Sequence, residues 1–175
     1  FDNLKITSAG NDSNGNSYIS QQGQHPVIFI TFKEIKESSC KNALDGLKII
    51  ISNLYKEHRY LLTSKELEQD EKNIVQKYID NETSELDVKF SLRSLSGFLY
   101  KYHQQKKVYI LIDEYDTPIQ ASYLGHYYDD MIKLMGGIFG SALKGNPCLN
   151  RAVITGIVRV AKEGLLSTLN NPVIY

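Results

Sequence analysis

Five apolar residues in a row, Val108-Tyr109-Ile110-Leu111-Ile112, end in two acids, Asp113 and Glu114. A continuous apolar run has the composition of a strand buried in a parallel sheet. In open α/β sheets, ligands bind at the carboxyl ends of such strands. A carboxylate held rigidly there can take Mg²⁺ or its water ligands. The acid beside it can polarise an attacking water. The same pattern also suits a solvated strand-to-loop junction, because many strands end in acids.

Other chemistries find less support. The four histidines, His25, His58, His103 and His126, are scattered and show no HxxxH or HExxH spacing, so a zinc site is not indicated. Cys40 and Cys148 stand far apart without CxxC spacing, which suggests reduced thiols in a cytoplasmic protein. Glu34-Ile35-Lys36 reads as E-x-K, half of a nuclease metal motif, but the only Asp near it upstream is Asp12 in a polar loop. A chance match and a solvated strand exit explain it better. Lys+Arg 20 against Asp+Glu 20 leaves no net charge. That excludes a strongly basic nucleic-acid module and a solvating acidic tail. No apolar stretch approaches the roughly 20 residues of a membrane span, and the first thirty residues carry no signal-peptide pattern.

The elements that would position the acids can be read from periodicity. Val27-Ile28-Phe29-Ile30-Thr31-Phe32 is apolar on both alternating faces, which predicts a strand covered on both sides. Ser38 or Ser39 caps a helix whose stripe is Leu44, Leu47, Ile51 and Leu54. Thr63 and Glu66 read as a capping box that opens a second helix, with Leu67, Glu71, Ile74 and Tyr78 on one face and Val75 and Ile79 beside it. A third helix carries Leu92, Leu95, Leu99 and Tyr102. After the 108–112 strand, a long helix holds Tyr128, Met131, Met135, Ile138 and Ala142, and Gly145-Asn146-Pro147 ends it. Ala152-Val153-Ile154-Thr155 is a third strand, closed by Gly156. Strands separated by helices predict an α/β fold with a parallel sheet, its core strands near 27–32, 108–112 and 152–155.

The wider string around the acids, Leu111-Ile112-Asp113-Glu114-Tyr115-Asp116-Thr117-Pro118-Ile119, resembles the signature of the AAA-ATPase-like family. In that family hhhhDE is the Walker B strand of a P-loop NTPase. Thr155-Gly156-Ile157-Val158-Arg159-Val160 is similar to the family's TGI-x-R segment, and Leu169-Asn170-Asn171 to its LNN motif. His25-Pro26-Val27-Ile28 through Phe32-Lys33 is similar to its PVI…FK strand, and Phe1-Asp2-Asn3-Leu4-Lys5-Ile6 to the stretch after its phosphate-binding helix. The resemblance runs from end to end of the chain.

The resemblance implies a P-loop NTPase-like three-layer sandwich in which the three strands are neighbours. It implies Mg²⁺-dependent ATP hydrolysis by the complete protein, with nucleotide as partner and a nuclease-like domain or nucleic acid downstream. Asp113 would hold the metal and Glu114 the water. Thr155 would sense the γ-phosphate, or be only a β-branched strand residue. Arg159 would reach phosphate, or be only an exposed Arg at a helix start. Asn170 and Asn171 would form a turn, or contact nucleotide or a neighbouring domain. Asp116 would approach the metal or orient its loop, or, as is preferred here, cap the turn before Pro118. Tyr115 would be packing.

No GxxxxGK[ST] occurs in the 175 residues; Gly10 to Gly15 spans the length, but Asn16 and Ser17 follow and the lysine is missing. The chain has no Met at its head and stops in Val173-Ile174-Tyr175. Residues 1–175 are therefore expected to be one domain truncated at both ends, with its phosphate loop upstream and little hydrolysis of its own. A non-catalytic remnant or interaction module that keeps the fold is the alternative. Loss of the phosphate-loop strand would leave 152–155 as an apolar edge, which invites association. The isolated chain is expected to be poorly soluble or partner-dependent; a sharp monomeric peak in light scattering with a cooperative melt would count against this.

Overall fold

A parallel strand meets its partners only through long crossovers, and the chain supplies two of them. The computed structural model describes residues 5–11 and 15–157. Strand β1 (Val27–Thr31) is followed by helices α1 (Cys40–Glu57), α2 (Gln69–Ile79) and α3 (Glu85–Tyr102) before β2 (Val108–Asp113). Helices α4 (Thr117–Leu124) and α5 (Tyr128–Leu143) then lead to β3 (Leu149–Ile154). Short 3-10 turns lie at Lys5–Ser8, Tyr18–Gln21 and Arg59–Thr63. The sheet has the order β1-β2-β3 and is parallel throughout. The three expected strands are all present, and β3 starts earlier than its apolar run, at Leu149.

One face of the sheet is buried. Ile28, Ile30, Val108, Ile110 and Ile112 are at most 3% exposed and join a core with Leu47, Ile51, Leu92, Leu95, Met135 and Ile138. The other face corrects the expectation of a strand covered on both sides. Val27, Phe29 and Val153 are 47%, 55% and 52% exposed. A run that is apolar at every position does not by itself report coverage. It shows only that both faces could be covered. Among the described residues the architecture is a three-stranded sheet with a helical layer on one side.

The helices follow their stripes with local corrections. Ser39 caps α1, its hydroxyl accepting the Asn42 N–H at 3.3 Å. Thr63 and Glu66 do not open α2. Thr63 ends a 3-10 turn, and the Glu66 carboxylate accepts the Ser64 hydroxyl at 2.7 Å. The helix begins later, with Glu71 reaching back to the Glu68 N–H at 3.0 Å. Its buried residues are Val75, Tyr78 and Ile79, whereas Ile74 faces outward at 42% exposed. Ser84 and Asp87 form the box that starts α3, with Ser84 N–H donating to Asp87 at 2.7 Å and Asp87 N–H to the Ser84 hydroxyl at 3.2 Å. Helix α4 is an element that periodicity did not reveal, since it has no clear apolar stripe. Its signal was Pro118 in the first turn, where a missing N–H costs nothing.

Close contacts join the helices of this layer. Tyr55 stacks on Tyr78 at 4.2 Å between ring centres and donates its hydroxyl to the Ser91 carbonyl at 2.8 Å, joining α1, α2 and α3. Gly137 lets α5 come close to α3, because a Cβ there would lie 2.8 Å from the Lys89 side chain. Ser141 donates to the Lys89 carbonyl at the same crossing.

His58, Tyr60, Tyr102 and His103 form a run of edge-packed and tilted rings where α1 and α3 end. Burial, and then the neighbouring His103, push the His58 pKa below 6.5. Burial, and then Lys106, do the same to His103. The unfolded chain therefore takes up protons that the folded one resists, and stability falls as pH drops through and below about 6.5. The urea midpoint is expected to fall between about pH 7 and pH 5, and His58→Gln is expected to flatten that fall. An unchanged slope in the variant would rule out His58 as a source.

Candidate functional site

The strand ends place the site. Thr31 on β1 is the direct partner of Asp113 on β2, and Thr155 follows the last residue of β3. Thr155 N–H continues the ladder by donating to the Ile112 carbonyl at 2.8 Å. Three adjacent parallel strands thus bring Thr31, Asp113 and Thr155 side by side at their carboxyl ends. The Asp113 carboxylate lies between the two hydroxyls. Thr155 Oγ1 donates to Asp113 Oδ1 at 2.7 Å, and Thr31 Oγ1 donates to Asp113 Oδ2 at 3.2 Å. Each oxygen keeps lone-pair capacity for a further partner. Thr31 was missed in the sequence. It follows Val27–Ile30 as Asp113 follows its own apolar run, and that matched position was the available signal.

Glu114 leaves the strand in a left-handed conformation, φ 51°. Residues with a Cβ rarely adopt it, and such strain clusters at functional sites. The turn is held by Thr117, whose N–H donates to the Glu114 carbonyl at 3.2 Å and whose hydroxyl donates to Glu114 Oε2 at 3.1 Å. Both acids are half-buried. Beneath them Tyr115 is 7% exposed, its ring 6.4 Å from Phe139, which also meets Phe32 at 6.2 Å. Tyr115 is packing, as expected.

Asp116 is 1% exposed and its side chain does not cap α4, which corrects the preferred cap reading. Asp116 Oδ2 instead accepts the Ile157 N–H at 3.1 Å and Gln120 Nε2 at 2.7 Å. One of its partners thus lies in the segment that follows β3.

The residues suit a Mg²⁺ ion held mainly by a nucleotide. Among the described residues no three His, Cys, Asp or Glu side chains cluster as a metal cage. Mg²⁺ commonly takes one or two carboxylates and completes its shell with phosphates and water, and Asp113 could supply one such carboxylate.

The comparison with protein families decides the kinship. A family model described as Predicted AAA-ATPase (AAA-ATPase-like) matches residues 1–166. The chain belongs to this family. No curated protein and no solved structure matches it.

For this AAA-ATPase-like chain the structure brings Asp113, Glu114 and Thr155 together. Arg159, Asn170 and Asn171 lie outside the described residues, and the two asparagines also lie past the matched stretch. Glu34 is exposed and pairs with Lys33 at 3.8 Å, while Asp12, its only nearby upstream Asp, lies outside the described residues. Among the described residues no helix is long and apolar enough to cross a membrane.

The strain at Glu114 can be measured. Glycine relieves a left-handed φ worth about 1–2 kcal/mol and forfeits the Thr117 bond of about 1 kcal/mol, so Glu114→Gly is expected to leave stability within about 1 kcal/mol of wild type. Glu114→Val keeps the strain and adds a β-branch, and should be less stable than Glu114→Gly by about 1–3 kcal/mol. Equal denaturant midpoints for the two variants would show that this turn is unstrained.

Proposed function

We propose that this chain forms the Mg²⁺–ATP-facing end of an ATPase domain, and that hydrolysis occurs in the complete protein. One observation carries the reading. A carboxylate is held between two hydroxyls at the aligned ends of three parallel strands, with a second acid in a strained turn beside it. In this reading Asp113 binds the metal and its waters. Glu114 polarises the attacking water from the turn that Thr117 holds. Thr155 reads the γ-phosphate from the neighbouring strand end. Arg159 supplies positive charge to phosphate, and Asn171 contacts the nucleotide. The family kinship supports nucleotide and metal use in general terms. ATP is the nucleotide we assign.

The same reading includes a P-loop-type sandwich formed by residues 1–175 as one domain. Action on nucleic acid through a nuclease-like domain is assigned on family resemblance alone. The alternative reading is a non-catalytic remnant or interaction module that keeps the fold without turnover.

Hydrolysis of ATP by the full-length protein with Mg²⁺ separates the two. Glu114→Gln is expected to lower turnover by about 100-fold or more while ATP still binds. Asp113→Asn is expected to weaken Mg²⁺-dependent binding itself. Nucleotide binding without turnover in the wild type would favour the interaction module. Equal Mg²⁺-dependent binding by wild type and Asp113→Asn would remove Asp113 from the metal.

A further inference from the structure

Asp116 is the only charged side chain in the buried set among the described residues. A carboxylate is costly to bury unless hydrogen bonds compensate it. Two compensating bonds come from different elements: Gln120 of α4 and the backbone N–H of Ile157, two residues past Thr155. Gly156 lies directly against this carboxylate. A Cβ at Gly156 would sit 2.5 Å from Asp116 Oδ1 and 2.7 and 2.8 Å from the Tyr115 ring. The Thr155–Ile157 segment is therefore gripped along its length. Thr155 N–H bonds to Ile112, the Thr155 carbonyl accepts Tyr115 N–H at 3.2 Å, and Ile157 N–H bonds to Asp116. All three anchors belong to β2 or the turn after it. The segment they hold carries the hydroxyl that bonds Asp113 at 2.7 Å.

We propose that Asp116 is a positioning residue for the metal-facing carboxylate. By holding Ile157 N–H, with Gly156 admitting the close approach, it keeps the Thr155 hydroxyl on Asp113 and so presets the direction of the Asp113 oxygens. This rests on the reading that Asp113 faces Mg²⁺. The hydrogen bond, and not the charge, performs the task. An amide oxygen at the same place can accept from both Gln120 and Ile157, so Asp116→Asn should retain it and Asp116→Ala should lose it.

The test uses the full-length protein with Mn²⁺ alone as the probe, because paramagnetic line broadening in NMR reports weak binding residue by residue. Wild-type broadening is expected to centre on Asp113. In Asp116→Ala the Ile157 amide should exchange with solvent about tenfold faster. The Mn²⁺ concentration that half-broadens the Asp113 amide should rise several-fold, with core amides unchanged. Asp116→Asn should match wild type in both measurements, which a general loss of folding could not produce. Should Asp116→Ala fail to fold, Gly156→Ala provides the second variant. It displaces the same segment sterically and should show both changes.

Wild-type exchange and wild-type Mn²⁺ response in a folded Asp116→Ala or Gly156→Ala would overturn the proposal. So would an Asp116→Asn as impaired as Asp116→Ala. Asp113→Asn serves as the control for the underlying reading. If it broadens like wild type, Asp113 does not face the metal and the metal half of the proposal falls with it. Ile157 exchange still decides the hydrogen bond.

Discussion

A parallel strand cannot obtain its partner from a tight turn, so β2 depends on two distant segments arriving on either side of it. That requirement governs the remainder of the molecule. Three helices fill the path from β1 to β2, and two fill the path from β2 to β3. Because all three strands run the same way, their carboxyl ends fall on one edge. Thr31, Asp113 and Thr155 meet there although they are far apart in the chain. An antiparallel partner would have turned one of those hydroxyls to the opposite edge.

The helical layer supplies most of the apolar burial and transmits it to the site. Helix α5 leans on α3 where Gly137 and Ser141 allow close approach. Its Phe139 lies below Phe32 and Tyr115, the residues that follow β1 and β2 closely. The floor of the site is thus core packing, and the chemistry sits one residue away from it. Packed interiors resist small displacements, so the Asp113 carboxylate has a rigid base. The opposite face of the sheet is the reverse case: Val27, Phe29 and Val153 stay about half exposed.

Two features of the turn after β2 work against simple stability. Glu114 takes a left-handed backbone, and Asp116 is buried as an acid. Each needs compensation from neighbours, which Thr117, Gln120 and the Ile157 N–H provide. Local rules broken and then repaired nearby are what a site under functional demand looks like.

The sequence by itself determined the three strands, most of the crossover helices and the position of the acid pair, because apolar runs mark strands and apolar stripes mark helices. It also pointed to Asp113 and Glu114 as strand-end acids, while Thr155 was suggested by the family resemblance. Tertiary structure alone decided the rest. Periodicity ranked Ile74 with the buried stripe, but the neighbours of α2 left it outside. Thr63 and Glu66 matched a capping pattern, but Ser64 engaged Glu66 first. Asp116 was read as a local cap, yet its decisive partner is the Ile157 N–H. Thr31 gained its role only when β1 paired with β2 in register. The physical reason is common to all four. Composition and spacing describe what a residue can do within its own segment, whereas a hydrogen bond or a buried face across segments exists only after the chain has folded.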